Sequence, residues 1–173
     1  MTGTDKPNNK LAEALGTVFG VGLMRPASGT WGSLVALPLG WGLFVVGGLG
    51  LVVAAIVIAF GAGWWATIKI TQNGADPDPS RIVIDEVVGQ WIALLPLFYG
   101  SMFAGVDVTL LWPGWIAAFV FFRVFDIWKP GPIGRADRRH DPLGVMLDDV
   151  IAGAFAAIVV ILLAVAYHVP LIL

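Results

Sequence analysis

No Asp, Glu, Lys or Arg occurs between Arg25 and Lys69. A bilayer crossing needs about 20 apolar residues as helix, so this uncharged stretch is long enough for two. Gly47-Gly48 and Gly50 lie near its middle and mark a turn. The expected arrangement is a hairpin, with a short, glycine-containing helix near 33–46 and a second near 51–70. Three more apolar runs follow. One covers 87–106 and contains Pro96, which bends rather than ends a membrane helix. The next covers 109–127, with Trp112 and Trp115 near one end and Trp128 near the other, positions that suit interfacial aromatics. The last covers 150–173, with His168 as its one weakly polar interruption. A soluble chain with several core helices is the alternative, and composition opposes it. The residues are 58% hydrophobic and 13% charged, whereas soluble domains carry roughly 25% charge. Too little polar surface would remain to cover the outside. The expected fold class is all-α, a polytopic membrane helix bundle of about four to five transmembrane helices.

Composition excludes several functions. A formal net charge of -2 gives no basic stripe for nucleic acid. The absence of cysteine removes disulfides, thiolate zinc sites and cysteine nucleophiles. The first 24 residues are expected to form a polar N-terminus and an interfacial segment without the cleavage pattern of a secretory signal. Residues 25–173 are expected to form one membrane-embedded domain. Alternating connectors place Lys6, Lys10, Arg25, Lys69, Arg81, Lys129, Arg135, Arg138 and Arg139 on one side, with Arg123 in the last turns of a helix facing it. The other side receives no Lys or Arg. Such a bias marks the loaded side as cytoplasmic.

Three polar clusters converge on that side. The first, Ser28-Gly-Thr-Trp-Gly-Ser33, precedes the first helix. Its glycines let backbone approach an anion, with Thr30, Ser33 and free helix N–H groups as donors; taken alone, a plain helix N-cap with a flexible entry accounts for it better. The second contains Asp85-Glu86 at the start of the third helix, followed by Gly89-Gln90. The helix dipole explains one acid there better than two. Glu86 and Gln90 share a face at i, i+4, and a carboxylate facing hydrocarbon is costly, so that face looks into the bundle or a polar cavity. The third runs from Arg123 through Asp126, Lys129 and Arg138 to Asp148-Asp149, a second acidic pair opening a helix. A cytoplasmic loop explains Arg135, Arg138 and Arg139, but not the charges at helix ends beside the bilayer.

Carboxylates in such numbers suit hard divalent cations such as Mg²⁺, which also bind phosphate oxygens. Guanidinium and ammonium groups suit phosphate as well. At headgroup depth, the set suggests a metal-dependent enzyme acting on a phosphate-bearing lipid. A histidine phosphoenzyme would rest on His140 alone. A transporter or channel using the acids as an ion pathway is the rival from another class, but it calls for carboxylates near mid-bilayer. A purely structural membrane protein leaves the paired acids unexplained. A lipid phosphotransferase of the CDP-alcohol type calls for a repeated acidic signature that is not found here.

The three clusters resemble the phosphatidylglycerophosphatase A family. The likeness is carried by Ser28–Ser33, by Ile82-Val-Ile-Asp-Glu-Val-Val-Gly-Gln-Trp91, and by the block from Phe122 to Gly153 that includes Phe125-Asp126-Ile-Trp-Lys129-Pro and Gly144-Val-Met-Leu-Asp148-Asp149. The resemblance implies removal of the terminal phosphate from phosphatidylglycerophosphate, a requirement for Mg²⁺, and the bacterial inner membrane with the site facing the cytoplasm. The chain departs from the family at Gly131, where an aromatic is usual, at Gly134, where Arg is usual and Arg135 would substitute, and at Asp141-Pro142, where two glycines are common. Under this reading Asp85, Glu86, Asp148 and Asp149 hold the metal. Asp126 completes its sphere or acts as general base, and Arg123, Lys129 and Arg138 neutralise phosphoryl charge, with Thr30 and Ser33 as further donors. A carboxylate such as Asp126 or Asp148 acting as covalent nucleophile is the open alternative. Oligomeric state is not legible.

Overall fold

The computed structural model describes residues 7–72 and 79–168. Lys6, Asp76, Asp78 and the last five residues of the final apolar run lie outside them. Among the described residues there are six α-helices: α1 (Pro7–Gly16), α2 (Ser28–Thr71), α3 (Ile84–Ala104), α4 (Trp112–Trp128), α5 (Pro132–Asp137) and α6 (Pro142–His168). Short 3₁₀ turns at Val21–Leu23 and Val108–Leu111 precede α2 and α4. The helices α2, α3 and α6 and the stretch Val108–Trp128 are long and apolar enough to cross a membrane.

The 44 residues of α2 are interrupted at Gly48, whose φ of 65° and ψ of -164° are not helical; the positive φ is accessible to glycine at little cost. The interruption is a reversal. A Cβ on Gly32 would meet Val83 at 2.9 Å, and one on Gly63 would meet Ile84 at 2.8 Å. A straight helix rising about 1.5 Å per residue would hold those glycines more than ~40 Å apart. Both arms therefore return to the start of α3, and the hairpin expected from the glycines is present. Its first arm starts earlier than expected: Ser28–Ser33 is not a loop before the helix but its opening turns.

The arms and α3, α4 and α6 alternate in direction. Phe44 stacks on Phe98 at 4.6 Å, and Phe98 meets Trp115 edge-on at 5.7 Å. Gly89, a few turns nearer the start of α3, adjoins Phe122, so α4 runs antiparallel to α3. The start of α2, the end of its second arm, the start of α3, the end of α4, all of α5 and the start of α6 thus share one end of the bundle. Pro38 and Pro96 sit within α2 and α3 without ending them. Apolar side chains such as Val57, Ile58, Phe103 and Ile127 remain exposed, the surface expected where lipid is the solvent. On the polar end, α1 lays Ala12 and Gly16 against Ala66, Ile70 and Ile82. Arg81 clamps it with a hydrogen bond of 3.0 Å to Glu13 Oε1 and one of 3.1 Å to Oε2.

The last polar connector is shorter than the sequence suggested. Residues 132–137 form α5, and α6 starts at Pro142 rather than near 150, so Asp148 and Asp149 lie inside α6 instead of opening it. Asp141 caps that helix by accepting from the Gly144 N–H at 2.6 Å, and Pro142 occupies the first helical position, where its missing N–H costs nothing. The departure at Asp141-Pro142 is therefore a helix start. The other two departures shape the turn before α5. Gly131 has a φ of 56°, and a Cβ on Gly134 would meet the Lys129 carbonyl oxygen at 2.6 Å.

The tightest helix contact joins α3 to α6. A Cβ on Gly153 would run into the Gly89 carbonyl oxygen and sit 3.0 Å from the Gly89 Cα, and one on Gly89 would meet the Asp149 carbonyl oxygen at 2.6 Å. Small residues let backbones touch where lipid gives no hydrophobic drive to association. Gly153→Val is expected to destabilise the protein by about 1–3 kcal/mol through overpacking. Gly100→Ala, at a position with nothing within 4 Å of an added Cβ, should change stability by less than about 1 kcal/mol. Thermal unfolding of both variants in detergent measures the difference, and equal midpoints would refute the contact.

Candidate active site

A cavity of about 250 Å³ opens at the polar end between the starts of α2, α3 and α6, the end of α4, and α5. Six carboxyl groups line it: Asp85, Glu86, Asp126, Asp137, Asp148 and Asp149. Two fixed cations, Arg123 and Lys129, face them.

Each group is placed by its helix. Asp85 and Glu86 stand in the first turn of α3. Asp149 reaches them from α6 because Gly89 and Gly153, one turn further along each helix, bring the two backbones together. One carboxylate oxygen from each of Asp85, Glu86 and Asp149 lies within 4.8 Å of the others. Asp149 Oδ1 and Glu86 Oε2 are buried without a hydrogen-bond partner. Buried carboxylate oxygens are normally satisfied, and three converging carboxylates, two of which carry an unpartnered buried oxygen, fit the ligand set of a hard divalent cation. This cluster can therefore hold a divalent metal.

The cations are already engaged. Arg123 Nη1 pairs with Asp126, three residues on along α4, and donates a long 3.5 Å hydrogen bond to Ser33 Oγ. Ser33 is fully buried and donates in turn to the Gly29 carbonyl at 2.9 Å. Gly29 lets this turn approach the acids: a Cβ there would push Glu86 Oε1 from its place and lie 3.2 Å from Arg123 Nη1. Lys129 ends α4 in a left-handed conformation with φ 50°. Its ammonium bonds Asp137 of α5 and, at 2.8 Å, Asp148 of α6. Burial works to lower the Lys129 pKa, but the bonds and charges of the two carboxylates outweigh it and hold the ammonium above its ordinary value.

Most residues singled out from the sequence meet at this cavity. Asp85, Glu86, Arg123, Asp126, Lys129, Asp148 and Asp149 all line it. Ser33 stands behind Arg123 rather than at the wall. Thr30, in the opening turns of α2, and Arg138, exposed at the end of α5, are not among the lining residues, and neither is Arg135. Asp148 is tied to Lys129, whereas Asp149 completes the three-carboxylate group. Sequence reasoning gave no role to Asp137, read Ser28 and Gly29 only as part of a glycine-hydroxyl segment able to approach an anion, and considered His140 only as a phosphoenzyme residue; all four line the cavity. For Asp137 the available signal was its place eight residues after Lys129, across a Pro-Gly-Pro turn that leads into α5, which packs on α6. Among the described residues no carboxylate stands at mid-helix far from this end, so nothing there supports an ion pathway.

A profile of the phosphatidylglycerophosphatase A family matches residues 14–164. A Haemophilus influenzae protein named phosphatidylglycerophosphatase A is 38% identical over 143 residues, covering 82% of this chain and 82% of its own length. The Escherichia coli K12 protein of the same name is 36% identical over 155 residues, covering 88% of this chain and 82% of its own. A Bacteroides thetaiotaomicron protein named putative phosphatidylinositol-3-phosphatase is 39% identical over 151 residues, covering 84% and 89%. No solved structure matches. The match spans the hairpin, both acidic pairs and the whole of the cavity, and the chain belongs to the phosphatidylglycerophosphatase A family.

Proposed function

We propose that this membrane enzyme removes the terminal phosphate of phosphatidylglycerophosphate with Mg²⁺ as its metal, from the cytoplasmic face of the bacterial inner membrane. The observation that carries the reading is the convergence of Asp85, Glu86 and Asp149 within 4.8 Å in a cavity shared with Arg123 and Lys129, at the end of a bundle long enough to span a bilayer. A phosphomonoester on a lipid headgroup reaches that depth without leaving its leaflet. Lys10, Arg25, Lys69 and Arg81 lie at the same end as the cavity, which favours a cytoplasmic orientation.

Asp85, Glu86 and Asp149 would hold the divalent cation, which when bound would supply Lewis-acid polarisation and activation of a water. Asp126, paired with Arg123, is placed to take the proton of the attacking water. Arg123 and Lys129 neutralise charge on the phosphoryl and leaving oxygens, the main demand of a loose phosphoryl-transfer transition state. Lys129 can do so while its carboxylate partners keep it charged. Ser33 steadies Arg123. The first N–H groups of α2, beside Ser28 and Gly29, add the anion-binding character of a helix N-terminus. Asp148 acts through Lys129, holding its ammonium toward the cavity.

Glu86→Gln and Asp149→Asn are each expected to cut phosphate release from short-chain phosphatidylglycerophosphate by more than about a hundredfold, since even outer partners of metal ligands cost 10–100-fold. Both variants should still insert and fold, as read by size-exclusion chromatography and circular dichroism. Near-normal turnover in either purified variant would remove that residue from the site.

Chelation with EDTA should abolish activity, and Mg²⁺ should restore it. Phosphatidate and phosphatidylinositol 3-phosphate, assayed beside phosphatidylglycerophosphate, test the headgroup assignment. Faster release from either comparator would overturn the substrate but not the phosphatase chemistry.

A further inference from the structure

Among the described residues, the buried side-chain polar atoms without a hydrogen-bond partner are Glu86 Oε2, Arg123 Nε, Asp149 Oδ1 and both amide atoms of Gln90. The first three belong to groups of the cavity wall. Gln90 does not line the cavity, yet its side chain has no exposed surface. It follows Glu86 by one turn on the same face of α3. Its chain neighbours fix its direction. Gly89 is pressed against Phe122 and the Asp149 backbone, while Trp91 Nε1 donates to the Ala36 carbonyl at 2.8 Å. At about 100° per residue, Gln90 points between these two contacts, into the bundle beneath Glu86.

A primary amide carries two donors and two acceptor sites, and an apolar side chain of similar volume would fill this position without leaving any of them unsatisfied. Buried polar groups with no protein partner are met by ordered water, which makes about three hydrogen bonds at such sites. Resting on the phosphatase reading above, we infer that Gln90 is a positioning residue: its amide holds buried water behind the cavity, and that water reaches Glu86 Oε2 and Arg123 Nε and fixes the carboxylate and guanidinium in place. The amide is neutral, so it does this without adding another charge to a site already rich in carboxylates. The logic is that of outer-sphere partners, which orient metal ligands and tune their affinity.

The test separates this role from packing. Gln90→Leu keeps the volume and removes the amide; Gln90→Met is a second apolar variant if the first does not fold. Calorimetric titration of the purified protein in detergent with Mg²⁺ should show affinity weakened about 10–100-fold. The melting temperature should be unchanged or raised, and kcat should fall in the same range while KM stays within about twofold. A high-resolution map of the wild-type protein should show water bonded to both amide atoms. Wild-type Mg²⁺ affinity in a folded apolar variant, or an amide that touches no water in that map, overturns the inference. Because titration and map need no lipid, they decide it even if phosphatidylglycerophosphate proves not to be the substrate.

Discussion

Backbone contact between α3 and α6 is the constraint on which the site depends. Gly89 follows Asp85 by four residues, and Gly153 follows Asp149 by four. On a helix that spacing puts each acid one turn below its glycine on the same face. When the glycines bring the backbones together, the acids one turn away are brought into reach of one another. Separation of these helices by even one methyl group would widen the gap that a shared ion must bridge. The packing of a membrane bundle and the assembly of its carboxylates are thus one event.

A second consequence concerns the cations. Arg123 and Lys129 are each held by carboxylates from the chain before any substrate arrives. Their side chains lose conformational freedom on folding rather than on binding, so less ordering remains when a phosphate enters. Lys129 also ties α4 to α5 and α6 through Asp137 and Asp148. The site is therefore stiff where charge has to be neutralised. It opens at the polar end of the bundle, where the surrounding helices end.

Much of this was legible in the sequence because a bilayer leaves few options. The uncharged span from Arg25 to Lys69, with its central glycines, could only be two crossings, and Gly48 makes the turn. Charge asymmetry and the acidic pairs pointed to the polar end of the bundle, where Asp85, Glu86 and Asp149 come within reach of a shared ion while Asp148 pairs with Lys129 instead. What escaped was local. Ser28–Ser33 looked like a loop because its glycines and hydroxyls disfavour helix, but burial against Val83 and Glu86 overrides that preference. The start of α6 was missed although Asp141-Pro142 is a capping signal; hydropathy alone pointed to 150. The partner of Lys129 was invisible because the turn through Gly131 and the close approach at Gly134 decide where Asp137 lands.

The balance of charge in the cavity has one more implication. Six carboxyl groups face two fixed cations, a formal surplus of four negative charges when all are ionised. A phosphomonoester brings up to two more into a region where low dielectric magnifies repulsion. On the phosphatase reading proposed above, an incoming phosphate would meet that repulsion in full unless counter-charge entered with it. A divalent cation held by Asp85, Glu86 and Asp149 would offset the surplus, so that filling of the carboxylate group and entry of a phosphate would favour one another.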